Sequence, residues 1–311
     1  MALKTKIDAI LELYNFPLKQ LLKQAQDVTK DNFNDEVEFC SIISAKTGKC
    51  SQNCKYCAQS SHYRTEIETH PLVSLDEVRK CALSAKKSGA SRFSIVTSGK
   101  SPDEEDFEEL IRMIEAINNI EGLSACASIG ILNEKQIQAL KNAGLTRYHH
   151  NLNACRSYYP EVCTTHSYEE RLETIKLAKK YNIEVCSGGI IGMGETRKQR
   201  AELIMELLEL QPVSVPVNFL HPIEGTPFEV HKDAVDEEEI LKTLMLFRIF
   251  MPKTVIRYAG GRSLRLSLKN QELGIKAGIN GVLIGNYLTT IGISPEEDNK
   301  LIERAGKKLK K

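Results

Sequence analysis

The chain has 311 residues, enough for one large domain or two ordinary ones, and α/β barrels reach this length as a single unit. Its 42 basic and 41 acidic side chains nearly cancel, so no global field argues for nucleic acid or a membrane surface, and no apolar stretch approaches the roughly 18 residues that span a bilayer. Nine cysteines, an odd number, behind a start that carries charges every few residues from Met1 to Tyr14, predict reduced thiols or metal ligands in a cytoplasmic protein.

Residues before about 35 predict one or two helices that lead into a repeating unit of short apolar strand, loop and amphipathic helix. Strands are expected at Val37–Ser44, Ser91–Thr97, Leu123–Ile129, Leu145–Leu152, Ile183–Gly189, Ser214–Leu220, Thr254–Ala259 and Gly281–Gly285. Capping boxes mark helix starts at Ser74, Asn133, Ser167 and Thr196, and Ser101 followed by Pro102 marks another. Gly89, Gly122 and Gly144 close helices just ahead of the next strand. Eight such units with short connections predict a closed (βα)8 barrel of the TIM type over residues 36–295, with a C-terminal helix over 296–311, in one domain. The basic run at Gly306–Lys311 is expected to be a solvated helix end. An open doubly wound sheet is the alternative, but no G-x-G-x-x-G opens a helix after the first strand.

The loop after the first strand holds Cys50-x-x-x-Cys54-x-x-Cys57. Three thiolates on one tight loop suit three corners of a four-iron cluster and leave the fourth iron open to a ligand. Structural zinc wants four ligands, commonly as paired C-x-x-C units, and neither a second pair nor a suitably spaced histidine follows. In a barrel of this type catalytic groups sit at the C-terminal ends of strands, so the cluster should cap that rim.

The segment Gly48–Cys57 resembles the cluster loop of radical S-adenosylmethionine enzymes, and more closely that of the biotin synthase family. The resemblance runs nearly end to end, through Tyr148–Asn153, Val185–Glu195, Ser214–Asn218, Arg257–Arg262 and Thr289-Thr290. It implies that a 4Fe-4S cluster on Cys50, Cys54 and Cys57 binds S-adenosyl-L-methionine and cleaves it reductively to a 5′-deoxyadenosyl radical. It assigns Tyr56, Asn151, Asn153, Arg171, Gly188, Gly189 and Glu195 to the cofactor, with Arg171 on its carboxylate and Asn151 shared with the substrate's ureido ring. Asn218 would meet that ring, and Thr289 and Thr290 the substrate's carboxylate. Two positions depart from the family: Asn153 stands for a usual aspartate and His149 for a usual asparagine. The resemblance further implies dethiobiotin as substrate, flavodoxin or ferredoxin as reductant, and a homodimer.

Family members draw the inserted sulfur from an auxiliary iron–sulfur cluster, usually a two-iron form on three cysteines and an arginine. Cys126, Cys186 and Arg257 match three of those positions; Ser94 replaces the cysteine of the second strand. Inward side chains of an eight-stranded barrel form layers contributed by alternate strands. Cys126, Cys186 and Arg257 lie on the third, fifth and seventh predicted strands, and Cys40 on the first completes that layer. This predicts an auxiliary cluster on Cys40, Cys126, Cys186 and Arg257, of a four-iron rather than a two-iron type. Cys40 as a small buried hydrophobe, with Ser94 as ligand of a two-iron cluster, stays open beside it. Cys81 is expected to be helix packing, and Cys155 and Cys163 to sit near the cofactor rim. The rival functions are another barrel radical enzyme, related to a hydrogenase maturase or an aminomutase, and an iron–sulfur electron carrier.

Overall fold

The computed structural model describes residues 3–285 and 292–310. Strands β1 (Glu36–Lys46), β2 (Ala90–Thr97), β3 (Ser124–Ser128), β4 (Arg147–His149), β5 (Glu184–Cys186), β6 (Gly189–Ile191), β7 (Ser214–Phe219), β8 (Val255–Tyr258), β9 (Gly281–Leu283) and β10 (Lys308–Leu309) build one sheet. All their pairings are parallel, and β1 pairs with both β2 and β9, which closes the barrel. β5 and β6 are two halves of one barrel strand, since both pair with β7. The break has a local cause. Pro216 on β7 has no N–H to give the ladder, and a Cβ on Gly188 would lie 2.0 Å from the Pro216 carbonyl oxygen.

Helices alternate with the strands and bury their apolar faces on them, among them Leu75–Lys87, Glu104–Asn118, Tyr168–Lys180, Arg197–Leu210 and Glu237–Phe250. The capping boxes at Asn133, Ser167 and Thr196 close in both directions, whereas Ser74 only accepts from Glu77 N. The helix expected from Pro102 starts two residues later, because Asp103 caps it by accepting from Asp106 N. Gly89, Gly122 and Gly144 adopt φ of 88°, 71° and 85°, as helix-terminating glycines do. Ahead of the barrel, helices Leu3–Tyr14 and Leu18–Asn32 pack on Arg197–Leu210 and Glu237–Phe250, with the Tyr14 hydroxyl 3.0 Å from Thr243 Oγ1.

The C-terminal expectation needs correction. The last helix is Pro295–Arg304, and the basic run then extends to pair as β10 with Glu36 and Val37. Glu36–Val37 lie below the ring of barrel strands and leave an edge that the run fills, with Lys308 N and Lys310 N donating to Asp35 and Val37 carbonyls.

Candidate active site

At the C-terminal end of β1 the chain turns sharply through Gly48 (φ 81°) and Lys49 (φ 51°) into the three-cysteine loop. Cys50 N donates to Gln59 O, Ser61 N to Cys50 O and Cys57 N to Cys54 O, so the loop is pinned by its own backbone. Asn53 ties it to the segment after β4: its Oδ1 accepts from Thr164 N at 2.9 Å and Thr165 N at 3.2 Å, and its amide donates to Thr164 Oγ1. Cys50, Cys54 and Cys57 share one wall of a cleft of about 300 Å3 whose other walls carry Asn151, Asn153 and Arg171. Burial pushes the Cys57 thiol up to about 11, and Cys54 is raised as well, by its contact with Cys163 and then by burial. Thiols that resist ionisation on their own become thiolates on a metal. Three of them facing an open cleft fit a cluster with one position left for a ligand.

Cys163 and His166 stand behind this loop, with ligand atoms within 4.8 Å of one another and of Cys54. This trio is not a mononuclear metal site. Arg171 Nη2 can only donate, so His166 Nε2, at 3.0 Å, accepts and the ring proton lies on Nδ1. That Nδ1–H faces Gln52 Oε1 at 2.9 Å and Cys163 Sγ at 3.2 Å, which leaves no lone pair for a metal. Cys163 therefore lies at the cofactor rim, as expected, and serves as a hydrogen-bonded neighbour of Cys54.

Of the predicted cofactor contacts, Tyr56, Asn151, Asn153 and Arg171 line this cleft, whereas Gly188, Gly189 and Glu195 do not. Arg171 is fixed by Tyr159 Oη at 2.6 Å and Asn151 O at 3.0 Å. Asn153, held at φ 68°, donates through Nδ2 to Tyr56 Oη at 2.8 Å. Asn151 Oδ1 accepts from Gly188 N, while Asn218 Oδ1 accepts from Gly260 N at 3.0 Å. Glu195 does not line the cleft: its carboxylate accepts from Gly192 N and Met193 N and pairs with Arg200. Gly188 and Gly189 serve close packing, since a Cβ on Gly189 would lie 2.5 Å from Leu203 Cδ2. Thr289 and Thr290 lie outside the described residues. A second lobe of about 240 Å3 shares Tyr56, Cys57 and Asn218 with the first and is walled by Ile42, Phe219, Leu220 and Leu283. The second lobe is the more apolar of the two.

Directly below Ile42, one inward step down β1, lies Cys40. Arg257 Nη1 donates to Cys40 Sγ at 3.0 Å, and Cys126 and Cys186 face the same interior, all four side chains being buried. Register carries them there. Ser94 pairs with Cys126, Cys126 with Arg147, His149 with Cys186, and Arg257 with Gly281. The layer argument thus brings Cys40 to Arg257, but Ser94 also faces inward, beside Cys126. Burial pushes all three thiols up; Arg257 opposes it at Cys40, Arg92 and Arg147 at Cys126, and Arg147 and Arg257 at Cys186. Ser94 Oγ, His149 Nε2 and Arg257 Nε have no hydrogen-bond partner here. Buried polar atoms are nearly always paired, so several orphans around three thiols mark the seat of a polar, anionic guest. Those residues fit an iron–sulfur cluster.

Sequence reasoning missed the charged residues that frame this seat. Glu38 pairs with Arg257 and lies 3.6 Å from Arg147, while Arg147 and Arg92 both reach Glu184. Burial works against the Glu38 carboxylate, but Arg257 and Arg147 outweigh it and hold Glu38 below the usual carboxylate range. His149 is pushed far below its ordinary value, by burial and then by Arg147, Arg257 and Arg92, so the imidazole is neutral. The signal available was period-2 alternation: Glu38, Arg92, Arg147 and Glu184 sit two residues from Cys40, Ser94, His149 and Cys186 on the same face.

The radical SAM superfamily profile matches residues 45–207, and that of the biotin and thiamin synthesis associated domain matches residues 216–308. Biotin synthase of Acetivibrio thermocellus is 46% identical over 93% of this chain and 89% of its own length. The chain belongs to the biotin synthase family. Biotin synthases of Clostridium tetani and Clostridium perfringens are 45% and 44% identical over 95% and 96% of the chain. Among solved structures, methylornithine synthase superposes with a TM-score of 0.83 over 98% of this chain and 94% of its own, at 19% identity. A maturase of the [FeFe]-hydrogenase gives 0.81 over 99% and 76%, at 18% identity. Both likenesses concern the barrel. The chain is a radical S-adenosylmethionine enzyme with the sulfurtransferase activity of biotin synthase, and it binds a 4Fe-4S cluster and S-adenosylmethionine.

Proposed function

We propose that this enzyme inserts sulfur between C6 and C9 of dethiobiotin, and that the sulfur comes from an auxiliary four-iron cluster held by Cys40, Cys126, Cys186 and Arg257. The observation that carries the auxiliary assignment is the 3.0 Å bond from Arg257 to Cys40 Sγ, in a chamber shared with Cys126 and Cys186. A thiol is a far better iron ligand than the Ser94 hydroxyl, which must lose a much less acidic proton. When bound, the cluster on Cys50, Cys54 and Cys57 supplies the electron that cleaves S-adenosylmethionine to methionine and a 5′-deoxyadenosyl radical.

The chain's own residues bind and orient. Arg171 offers a guanidinium to the methionyl carboxylate, Asn153 and Tyr56 line the nucleoside end, and Asn151 lies between the two ligands. Asn218 borders both lobes, so its amide can hold the ureido ring while Ile42, Phe219 and Leu283 shield the substrate's chain from water. With Cys40 one inward step beneath Ile42, the sulfur source lies directly under the substrate lobe, which favours dethiobiotin over a substrate needing no second cluster. Thr289 and Thr290 complete the proposal at the substrate carboxylate; flavodoxin or ferredoxin as reductant, a homodimer and a cytoplasmic location follow from the family resemblance.

Iron and sulfide analysis with Mössbauer spectroscopy tests the auxiliary assignment. Cys40→Ser is expected to lose the auxiliary iron and biotin formation while it keeps the radical cluster and uncoupled cleavage of S-adenosylmethionine. Ser94→Ala is expected to keep both clusters. A silent Cys40→Ser with a cluster-free Ser94→Ala would transfer the ligand role to Ser94.

A further inference from the structure

At the N-terminal mouth of the barrel, opposite the cofactor cleft, the residues before β1 and those around β10 enclose a polar pocket of about 400 Å3. Its rim carries Lys30, Asp31, Asn34, Glu36 and Lys310, and Glu38 is its innermost member. Glu38 and Cys40 are successive inward residues of β1, roughly 7 Å apart along the strand. Arg257 bridges them, pairing with Glu38 through Nη2 and donating to Cys40 Sγ through Nη1, and Arg147 lies 3.6 Å from Glu38. On the opposite side, Ile42 and Leu283 lie between the thiols and the substrate lobe. The chamber is thus bordered on the substrate side by apolar side chains and on the N-terminal side by the Glu38–Arg257 pair with Arg147 beside it. Behind that ion pair, Arg257 Nε and Arg147 Nη1 have no hydrogen-bond partner, Arg147 Nη1 lying 3.6 Å from Glu38, and both residues are buried. Guanidinium N–H groups without hydrogen-bond partners on the chamber side of that ion pair suit a small anion.

We propose that this pocket is the port through which inorganic sulfide reaches the auxiliary site. The proposal rests on the sulfur-donating reading above: each product molecule carries one sulfur away, so the site must take up another. The rim mixes Lys30 and Lys310 with Asp31 and Glu36, which suits the neutral molecule hydrogen sulfide. Arg257 and Arg147 then favour its anion inside. Sulfur remains at the sulfide oxidation level from solvent to seat, so the transfer consumes no oxidant or reductant, and the protons released pass to water in the pocket. Because S-adenosylmethionine and dethiobiotin occupy the far end of the barrel, uptake from this side does not require them to leave.

Val255→Trp puts an indole on the pocket wall, and Asn34→Trp places one at its exposed rim. Cluster-loaded protein, held without reductant and saturated with S-adenosylmethionine and dethiobiotin, is incubated with isotopically labelled sodium sulfide. Incorporation into acid-labile sulfide is then followed by mass spectrometry. The wild type is expected to exchange label with the cleft filled, and the plugged variants at least tenfold more slowly. In apoprotein, modification of Cys40 by methyl methanethiosulfonate is expected to slow in parallel, while Cys54 reacts at an unchanged rate. Exchange that stops once the two ligands fill the cleft, or rates equal to the wild type in both plugged variants, would overturn the port. Retention of auxiliary iron by Cys40→Ser would instead overturn the underlying sulfur-donor reading, and iron content distinguishes that result from a blocked port.

Discussion

Asn218 spends its carbonyl on Gly260 N at 3.0 Å, while its amide nitrogen is only loosely engaged, 3.4 Å from Gly189 O. That free donor capacity is what a ureido carbonyl would use. Replacing Asn218 by Ala should weaken dethiobiotin binding by about 1–3 kcal/mol and change S-adenosylmethionine binding less, as calorimetry would read; equal losses would make Asn218 purely structural. Gly188 is constrained from another side. Gly188→Ala forces a Cβ against the Pro216 carbonyl, and a strain of about 1–3 kcal/mol should appear as a lowered unfolding midpoint even in the apoprotein. The sequence made the thiols legible because cysteine spacing and strand parity are local patterns. Cys40 was found by its parity with Cys126, Cys186 and Arg257, which the family resemblance supplied, and Arg257 does bond to it. The partners of those thiols were not singled out: Glu38, Arg92 and Arg147 share the two-residue period of the thiols, but only barrel closure brings their charges together inside. His166 carried no readable role either, since its tautomer follows from an arginine five residues along a helix that only the fold brings onto the ring.

Eight strand–helix units were readable because apolar runs, capping residues and glycines recur with one period, and the observed strands fall within the expected segments or within a residue or two of them. The break between β5 and β6 was not readable, because it depends on a proline one strand away. Nor was β10: a short basic run has no intrinsic strand preference and pairs only because the start of β1 offers an edge. The first helix, Leu3–Tyr14, is fastened by charges on its neighbours. Arg197 and Arg200 stand over the Tyr14 ring and both bind Glu239, Arg197 in two bonds of 2.8 and 2.7 Å. Burial raises Glu239, but the two arginines outweigh it and hold its carboxyl below the ordinary value of 4.5. The native state therefore binds fewer protons than the unfolded one as pH falls through this range. The stabilisation is complete above about pH 4.5 and is lost as pH drops through the folded-state value. Glu239→Gln should cost roughly 1 kcal/mol at pH 7, and the gap to the wild type should narrow below pH 4.5 in denaturant titrations. A gap independent of pH would show that the charge is not what fastens the helix.

Matches to two family profiles, at residues 45–207 and 216–308, divide the chain between β6 and β7. The barrel does not respect that division. β1 and β9 close it from opposite ends of the sequence, and β7 pairs with β5 and β6 across the boundary. Apoprotein is therefore expected to unfold in a single transition by calorimetry and circular dichroism, and fragments 1–207 and 208–311 to remain unfolded apart. Two separated transitions, or a stably folded fragment, would restore two domains. The pairing of β1 with β9 and β10 also has a consequence for biosynthesis. The first barrel strand leaves the ribosome before the others, yet the strands that fill its free edge follow only after β2 to β8 have been made. Until then Cys40 sits on an unclosed sheet, and its layer with Arg257 does not exist. Iron delivered before then would meet scattered thiols, so metallation of the proposed auxiliary site belongs after β9 has been made.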